Sequence, residues 1–277
     1  MKQLLNYVDG KAPLPNRALL VTFDDGWRDN YTYAMPLLKS FGCPAVLFMV
    51  GDSIGRQAPF WQEQVFAAWK KGLLKDDSID NWLESFKKVP DKRESSRERR
   101  LRNLIRCLSD FEPEYIIAQL ERYANSFEWR DRAMLSKQEL MELCRNRITI
   151  GAHGLYHRML TKVNAKSIVN ELKQLRNELD FVTGQQPDGI NSLSFPHGSY
   201  SAQVVGHARE VGYNLLFSSD SVINVLKEKN RTKRIWGRIV IDSHNISKPN
   251  GKVCKVKLSR HVMFHSKDII SVDETLA

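Results

Sequence analysis

Short apolar runs alternate with amphipathic helical stretches in this chain, and that alternation constrains the fold more than any other feature. The run "ALLVTF" (18–23) is followed by a helical pattern, "YTYAMPLLKSFG" (31–42), which closes on Gly42, and then by a second apolar run, "PAVLFMV" (44–50). A glycine that stops a helix between two buried runs is βαβ grammar. The pattern resumes at residue 133 with the helix "SKQELMELCRN", the strand "RITIGAH", the long helix "AKSIVNELKQLRNELDFVTG", the strand "INSLSFP", the helix "SAQVVGHAREVG", and strands at "YNLLFSS" and "RIWGRIVI". Between these halves the chain is more charged. Helical periodicity in "FWQEQVFAAWKKGLL", "IDNWLESFKKV" and "RERRLRNLIRCLSDF" predicts a helical insertion there. Repeated strand–helix units with right-handed crossovers close most simply into a parallel barrel, whose chemistry sits where strands end and loops begin.

The chain is long enough, at 277 residues, to bury a substantial core, and one α/β domain with an insertion is the simplest division. Its net charge of +10 favours anionic partners, and much of the excess lies in "KKVPDKRESSRERRLRNLIR" (87–106). No aromatic residue is interleaved there, so the run reads as a solvated helical face or charged loop, and no dedicated nucleic-acid binding is expected. Neither a Gly-x-Gly-x-x-Gly nor a Gly-Lys-(Ser/Thr) loop follows the first strand, which sets nucleotide folds aside. Cys43, Cys107, Cys144 and Cys254 form no Cys-x-x-Cys pair, which fits a reducing compartment. No apolar run reaches the roughly 18 residues of a transmembrane span, and residues 1–17 hold no signal-peptide stretch. The expected location is the cytoplasm, where the basic surface can still touch a membrane.

Two stretches carry chemistry. In "TFDDGWRDN" (22–30), Asp24 and Asp25 leave the first predicted strand together. Asp-Asp-Gly is a good turn in its own right, yet an acidic pair at a strand exit is also what a site would need. In "ITIGAHGLYHRMLT" (148–161), another strand exit supplies His153 and His157. Four residues apart, the two rings can face one point if the segment is a helical turn. His-x-x-x-His alone is a weak signal, but with a carboxylate from an equivalent strand end it forms a three-ligand metal site with open positions.

These stretches, in order, resemble the polysaccharide deacetylases that share the NodB homology domain (carbohydrate esterase family 4). "TFDDGWRDNYTYAMPLLKSFGCPAVLFMV" is similar to the first family motif with its helix and strand, "IGAHGLYHRMLT" to the second, and "SFPHGSYS" to a third in the form found in a branch associated with cell-surface polysaccharide biosynthesis. The resemblance implies a distorted (β/α)7-type parallel barrel, a single deacetylase-like catalytic domain over residues 1–277 with a helical insertion at about 55–132. It implies that Asp25, His153 and His157 bind a divalent metal, zinc being expected and cobalt, nickel or manganese the alternatives, while Asp24 is the general base. Pro196, His197, Gly198 and Tyr200 would line the substrate site, with the backbone N–H of His197 donating to the oxyanion.

Departures from the family pattern generate further expectations. Ser194 stands where family members carry an Arg that pairs with the catalytic Asp, and no convincing Asp-x-x-Asp-Trp motif follows. An Arg from "KRIWGRIVI", either Arg234 or preferably Arg238, is expected to orient Asp24 instead. Gly154 replaces a hydroxyl residue between the histidines, which predicts a looser metal site. The general acid is assigned to His265 in "HVMFH", with His261 and His244 as rivals. Aromatic residues in "PFWQEQVFAAW" are expected to pack the insertion onto the barrel, and Trp61 or Phe60 is the alternative lining of a sugar cleft.

The resulting expectation is a metal-dependent deacetylase acting on an amino-sugar-containing saccharide, either a polysaccharide or a precursor on a phosphate-linked carrier. A glycosidase would need two separated carboxylates and would leave the histidines without a task. The competing reading is a degenerate deacetylase fold that binds anionic glycan or nucleic acid, favoured by Ser194, Gly154 and the +10 charge and opposed by the presence of all four residues Asp24, Asp25, His153 and His157.

Overall fold

The computed structural model describes residues 1–85, 97–108, 113–124, 131–184, 189–226, 231–242 and 252–263, together with residues 111, 129, 246–248 and 250. The chain divides into two compact units, one formed by Met1–Gly55 with Leu135–Ala277 and the other by Arg56–Met134.

In the first unit six parallel strands, β1 (Val21–Phe23), β2 (Ala45–Met49), β3 (Ile148–Ala152), β4 (Ser192–Ser194), β5 (Leu215–Phe217) and β6 (Ile235–Trp236), pair in sequence order. They curl into a half-barrel flanked by helices, a distorted (β/α) barrel. Each falls within one of the six apolar runs, and no seventh strand joins the sheet among the described residues.

Side chains alternate across a strand, so each strand feeds two cores. From β2, Ala45, Leu47 and Met49 join Leu140 and Leu143 of the helix Lys137–Arg145, the stripe on the helix Ala165–Thr183, and Val204, Val205 and Ala208 of the helix Ala202–Val211. That stripe, Ile168, Leu172, Leu175, Leu179 and Val182, repeats every three or four residues, the period of one helical face, and each such side chain contributes about 1.5–3 kcal/mol on burial. From the opposite side, Val46 and Phe48 pack with Leu215, Phe217 and Trp236. Both faces of β2 are therefore covered, which is why its run is apolar without a break. The helix Lys2–Val8, which the sequence reading did not anticipate, packs Leu4, Tyr7 and Val8 onto this second side. Its pattern is too short to have stood out by periodicity.

The second unit carries the helices Trp61–Lys70, Asp76–Ser85, Arg97–Leu108 and Pro113–Ala124 around a core of its own. Trp61 lies in this core with Val65 and Trp82, and Phe60 is also buried. The basic helix Arg97–Leu108 turns Leu101, Leu104 and Leu108 into the same core, and Arg100 reaches Asp76 and Asp80. The rest of the charge run, 87–96, lies outside the described residues. No helix among the described residues is long and apolar enough to cross a membrane.

Candidate active site

The strands end on one side of the sheet, and their carboxyl ends deliver the polar residues that the core excludes. Asp24 and Asp25 follow β1, His153 follows β3, Ser194 and Pro196 lie at the end of β4, Ser218 and Asp220 follow β5, and Arg238 follows β6. Among the described residues five non-glycine positions take positive φ, and Asp25 (74°), His157 (51°) and His197 (57°) are three of them. Such backbone costs roughly 1–3 kcal/mol per residue and persists only where the surroundings over-determine it. Gly26 is one such constraint: at φ 89° a Cβ would lie 2.2 Å from Met49 Sδ, so the residue after the acidic pair has to be glycine.

One oxygen of Asp25 faces both imidazoles. Asp25 Oδ1 is 3.4 Å from His153 Nε2 and 3.3 Å from His157 Nε2, and the three potential donor atoms lie within 4.8 Å of one another. The other oxygen, Oδ2, accepts a hydrogen bond from Trp27 Nε1 at 3.1 Å, which fixes the carboxylate plane. His153 is buried, and its Nδ1 lies 2.8 Å from the Ser194 carbonyl oxygen. A carbonyl only accepts, so Nδ1 carries a proton and Nε2 is the ring nitrogen turned towards Asp25, where it donates when the ring is protonated and is the atom left to bind an ion when it is neutral. Two imidazoles and one carboxylate, with one tautomer fixed from behind, form a donor set that fits a divalent transition metal.

The two histidines do not meet on a helical turn. They converge through a loop with left-handed backbone at Gly154 (76°) and His157, which brings the ring centroids to 5.2 Å. The missing hydroxyl at 154 does not leave the loop loose either. Gly51 N donates to Gly154 O and Asp52 N to Leu155 O, while a Cβ at 154 would meet Pro196 Cγ at 2.8 Å. Glycine is the residue this packing accepts.

Electrostatics at the cluster separate the two rings. Burial, followed by the neighbouring His153, holds the His157 pKa down at about 3. Burial opposes charge on His153 as well, but the hydrogen bond to Asp25 and the charges of Asp24 and Asp25 raise it above the ordinary value. Asp25 is lowered to about 2, because its histidine contacts outweigh a burial penalty that acts the other way. In metal-free protein, His157 is therefore neutral when folded and takes a proton on unfolding below pH 6.5. The unfolded state binds more protons, so stability should fall as pH drops from about 6.5 towards 3, at up to about 1.4 kcal/mol per pH unit. The His153 contribution is fully present below 6.5 and does not offset this slope, while Asp25 adds a further loss between 3.8 and about 2. Urea midpoints from pH 6.5 to 4.5 should show the trend in chelator-treated protein, and His157→Gln should flatten it.

Beside the cluster, Asp24 is gripped by Arg238. Arg238 Nη1 donates to Asp24 Oδ1 at 2.6 Å and Nη2 to Asp24 Oδ2 at 2.8 Å, a two-point fork. Nη2 also donates to Ser194 Oγ at 2.8 Å, Nε donates to the Ser218 carbonyl at 3.0 Å, and the guanidinium lies over the Phe48 ring at 5.6 Å. Ser194 thus occupies the place of a longer side chain and supports an arginine that arrives from two strands away. Arg234 goes elsewhere: it stacks over Trp236 and donates to the Val225 carbonyl.

The turn after β4 forms a neighbouring wall. Pro196 is buried, and the His197 ring lies against His157 with centroids 4.6 Å apart. Gly198, at φ 69°, would bring a Cβ within 2.6 Å of Ser219 Oγ. Tyr200 stacks on Phe195 and donates to Asp220 Oδ2 at 3.1 Å. Burial and the Asp220 charge push its pKa up to about 12, so the phenol keeps its proton. His265 and His244 lie outside the described residues, and His261 Nε2 is hydrogen bonded to the Val240 carbonyl at 2.8 Å. Sequence reasoning missed Trp27 and Asp220. The indole directly after Asp-Asp-Gly was the available signal for the first, whereas the second depends on contacts that no local pattern reveals.

Six parallel strands whose carboxyl ends gather a carboxylate, two imidazoles and a clamped second carboxylate define a barrel protein with a candidate metal centre. The chain belongs to the polysaccharide deacetylase family, whose profile matches residues 11–216. It is 26% identical over 156 residues to the poly-beta-1,6-N-acetyl-D-glucosamine N-deacetylase of Escherichia coli (strain K12), a stretch covering 52% of this chain and 22% of that protein. The chain thus spans about a quarter of the length of the curated relatives it matches. Among solved structures it is similar to IcaB from Ammonifex degensii, with a TM-score of 0.54 and 15% identity over 87% of this chain and 74% of that one. A de-N-acetylase from Aggregatibacter actinomycetemcomitans aligns with a TM-score of 0.50 and 16% identity over 94% of this chain and 80% of that one.

Proposed function

We propose that this chain is a metal-dependent amidohydrolase that removes N-acetyl groups from an amino sugar in a polysaccharide, an oligosaccharide or a carrier-linked precursor. The observation that carries the reading is the convergence of Asp25, His153 and His157 on one point beside an Asp24 that stays outside the donor set. Asp25, His153 and His157 would hold the ion, with zinc the leading choice. When bound, a divalent cation supplies Lewis acidity, lowering the pKa of water and polarising the acyl carbonyl.

The side chains around that point divide the remaining work. Asp24 accepts the proton of the attacking water, and Arg238 holds its carboxylate with a lone pair facing the cluster. The backbone N–H of His197 donates to the oxyanion that forms on the acyl carbon, and the turn from Pro196 to Gly198 aims that donor. Tyr200, kept protonated, offers a wall with a hydrogen-bonding tip. His265 is proposed as the acid that protonates the leaving amine. The proposed setting is the cytoplasm, where the 87–106 charge run can meet the phosphates of a carrier.

Two measurements test the reading. Chelator-treated chain reconstituted with zinc should hold one ion and release acetate from β-1,6-linked N-acetylglucosamine oligosaccharides, the substrate suggested by the name of the Escherichia coli relative. A chain that binds no ion would turn the assignment to a degenerate fold that binds anionic glycan. Arg238→Met should keep the ion yet lower kcat by roughly 10²-fold, because a base displaced by about 1 Å loses its attack geometry. Arg238→Lys should rescue little, since an ammonium cannot form the fork. Unchanged turnover in Arg238→Met would remove Arg238 from the mechanism.

A further inference from the structure

The loop that carries His157 is held from beneath by a carboxylate that none of the family-like motifs contains. Glu171 lies on the helix Ala165–Thr183, an element fixed at its start by Asn164, whose side chain accepts from Ser167 N, and at its end by Gly184 in the left-handed region. Its side chain is 2% exposed. A buried charge requires partners, and both oxygens find them in the histidine loop. Oε1 accepts the Leu155 N–H at 3.1 Å, while Oε2 accepts Arg158 Nε at 3.2 Å and Nη2 at 3.1 Å. These two anchors bracket His157, one before it and one directly after it, and His157 itself has left-handed backbone. A hydroxyl side chain at 154 has no room to steady the loop, because Pro196 fills that space.

We propose that Glu171 is a positioning residue for the metal centre: through Leu155 N–H and Arg158 it fixes the loop conformation that aims His157 at Asp25. The inference rests on reading Asp25, His153 and His157 as the metal ligands. Partners behind a ligand set its orientation, and losing one typically weakens metal affinity 10- to 100-fold.

The experiment titrates Co2+ into chelator-treated chain, following calorimetry and the visible absorption of the bound ion. Glu171→Gln keeps the shape and an acceptor for Leu155 but loses the charge that holds Arg158. It should bind Co2+ about 10- to 100-fold more weakly than wild type, with an altered absorption envelope. Arg158→Met should shift both readouts in the same direction, and the double variant should be little weaker than Glu171→Gln alone, because the two groups act as one unit. Equal affinity and an unchanged spectrum in Glu171→Gln overturn the inference, even if its unfolding midpoint falls. Should Glu171→Gln fail to fold, Arg158→Met decides, and wild-type affinity in that variant is the overturning result. Wild type that binds no Co2+ overturns the metal-centre reading itself, a result visible before any variant is compared.

Discussion

Asp24→Asn is expected to lower kcat for acetate release by about 10²- to 10⁴-fold while leaving one ion bound per chain. The range is that of a positioned general base, and the amide keeps the shape of the carboxylate without its ability to take a proton. Ion binding should survive because Asp24 lies outside the trio, with Oδ2 3.7 Å from His153 Nε2 and both oxygens held by Arg238. Turnover and metal content measured on the same preparation separate the two roles. A change of less than about threefold in kcat would exclude Asp24 as the base. Loss of the ion would make Asp24 a ligand.

His153→Ala should abolish ion retention through dialysis and reduce acetate release to background. This ring is the most buried member of the trio, at 3% exposure, and its tautomer is set by the Ser194 carbonyl. Removing it leaves two donors of three, and it strips that buried carbonyl of an N–H partner, at a cost of about 1–3 kcal/mol. The variant should therefore unfold at lower temperature yet keep its far-UV circular dichroism. One ion per chain in a folded His153→Ala protein would place the metal elsewhere.

The two variants probe opposite faces of one design. Asp25 meets both imidazoles and Asp24 meets the guanidinium, with His153 Nε2 within 4 Å of each carboxylate, so both of the adjacent like charges have cationic or donor partners. This resolves the tension of an acidic pair at a strand exit. The left-handed backbone at Asp25 and the glycine after it form the turn that carries the pair off the strand.

The reach of the sequence follows from the range of the interactions involved. The six strands and most helices were legible because burial imposes periods of two and 3.6 on the apolar residues, and those periods are local. The acidic pair and the histidine pair were legible because each sits within a few residues of a strand end. Tertiary packing settled the rest. The choice of Arg238 over Arg234 spans 214 residues to Asp24 and depends on which end of β6 each lies at, Arg234 preceding the strand and Arg238 following its carboxyl end. The convergence of the histidines depends on a loop held by Gly51, Asp52, Pro196 and Glu171, none of which borders that loop in sequence. The helix Lys2–Val8 found its place because one side of the curled sheet needed an apolar cover. Local patterns determined which residues are buried and where strands stop. The distances between strand ends, which decide what Asp24, Asp25, His153 and His157 can do together, exist only once the sheet has curled.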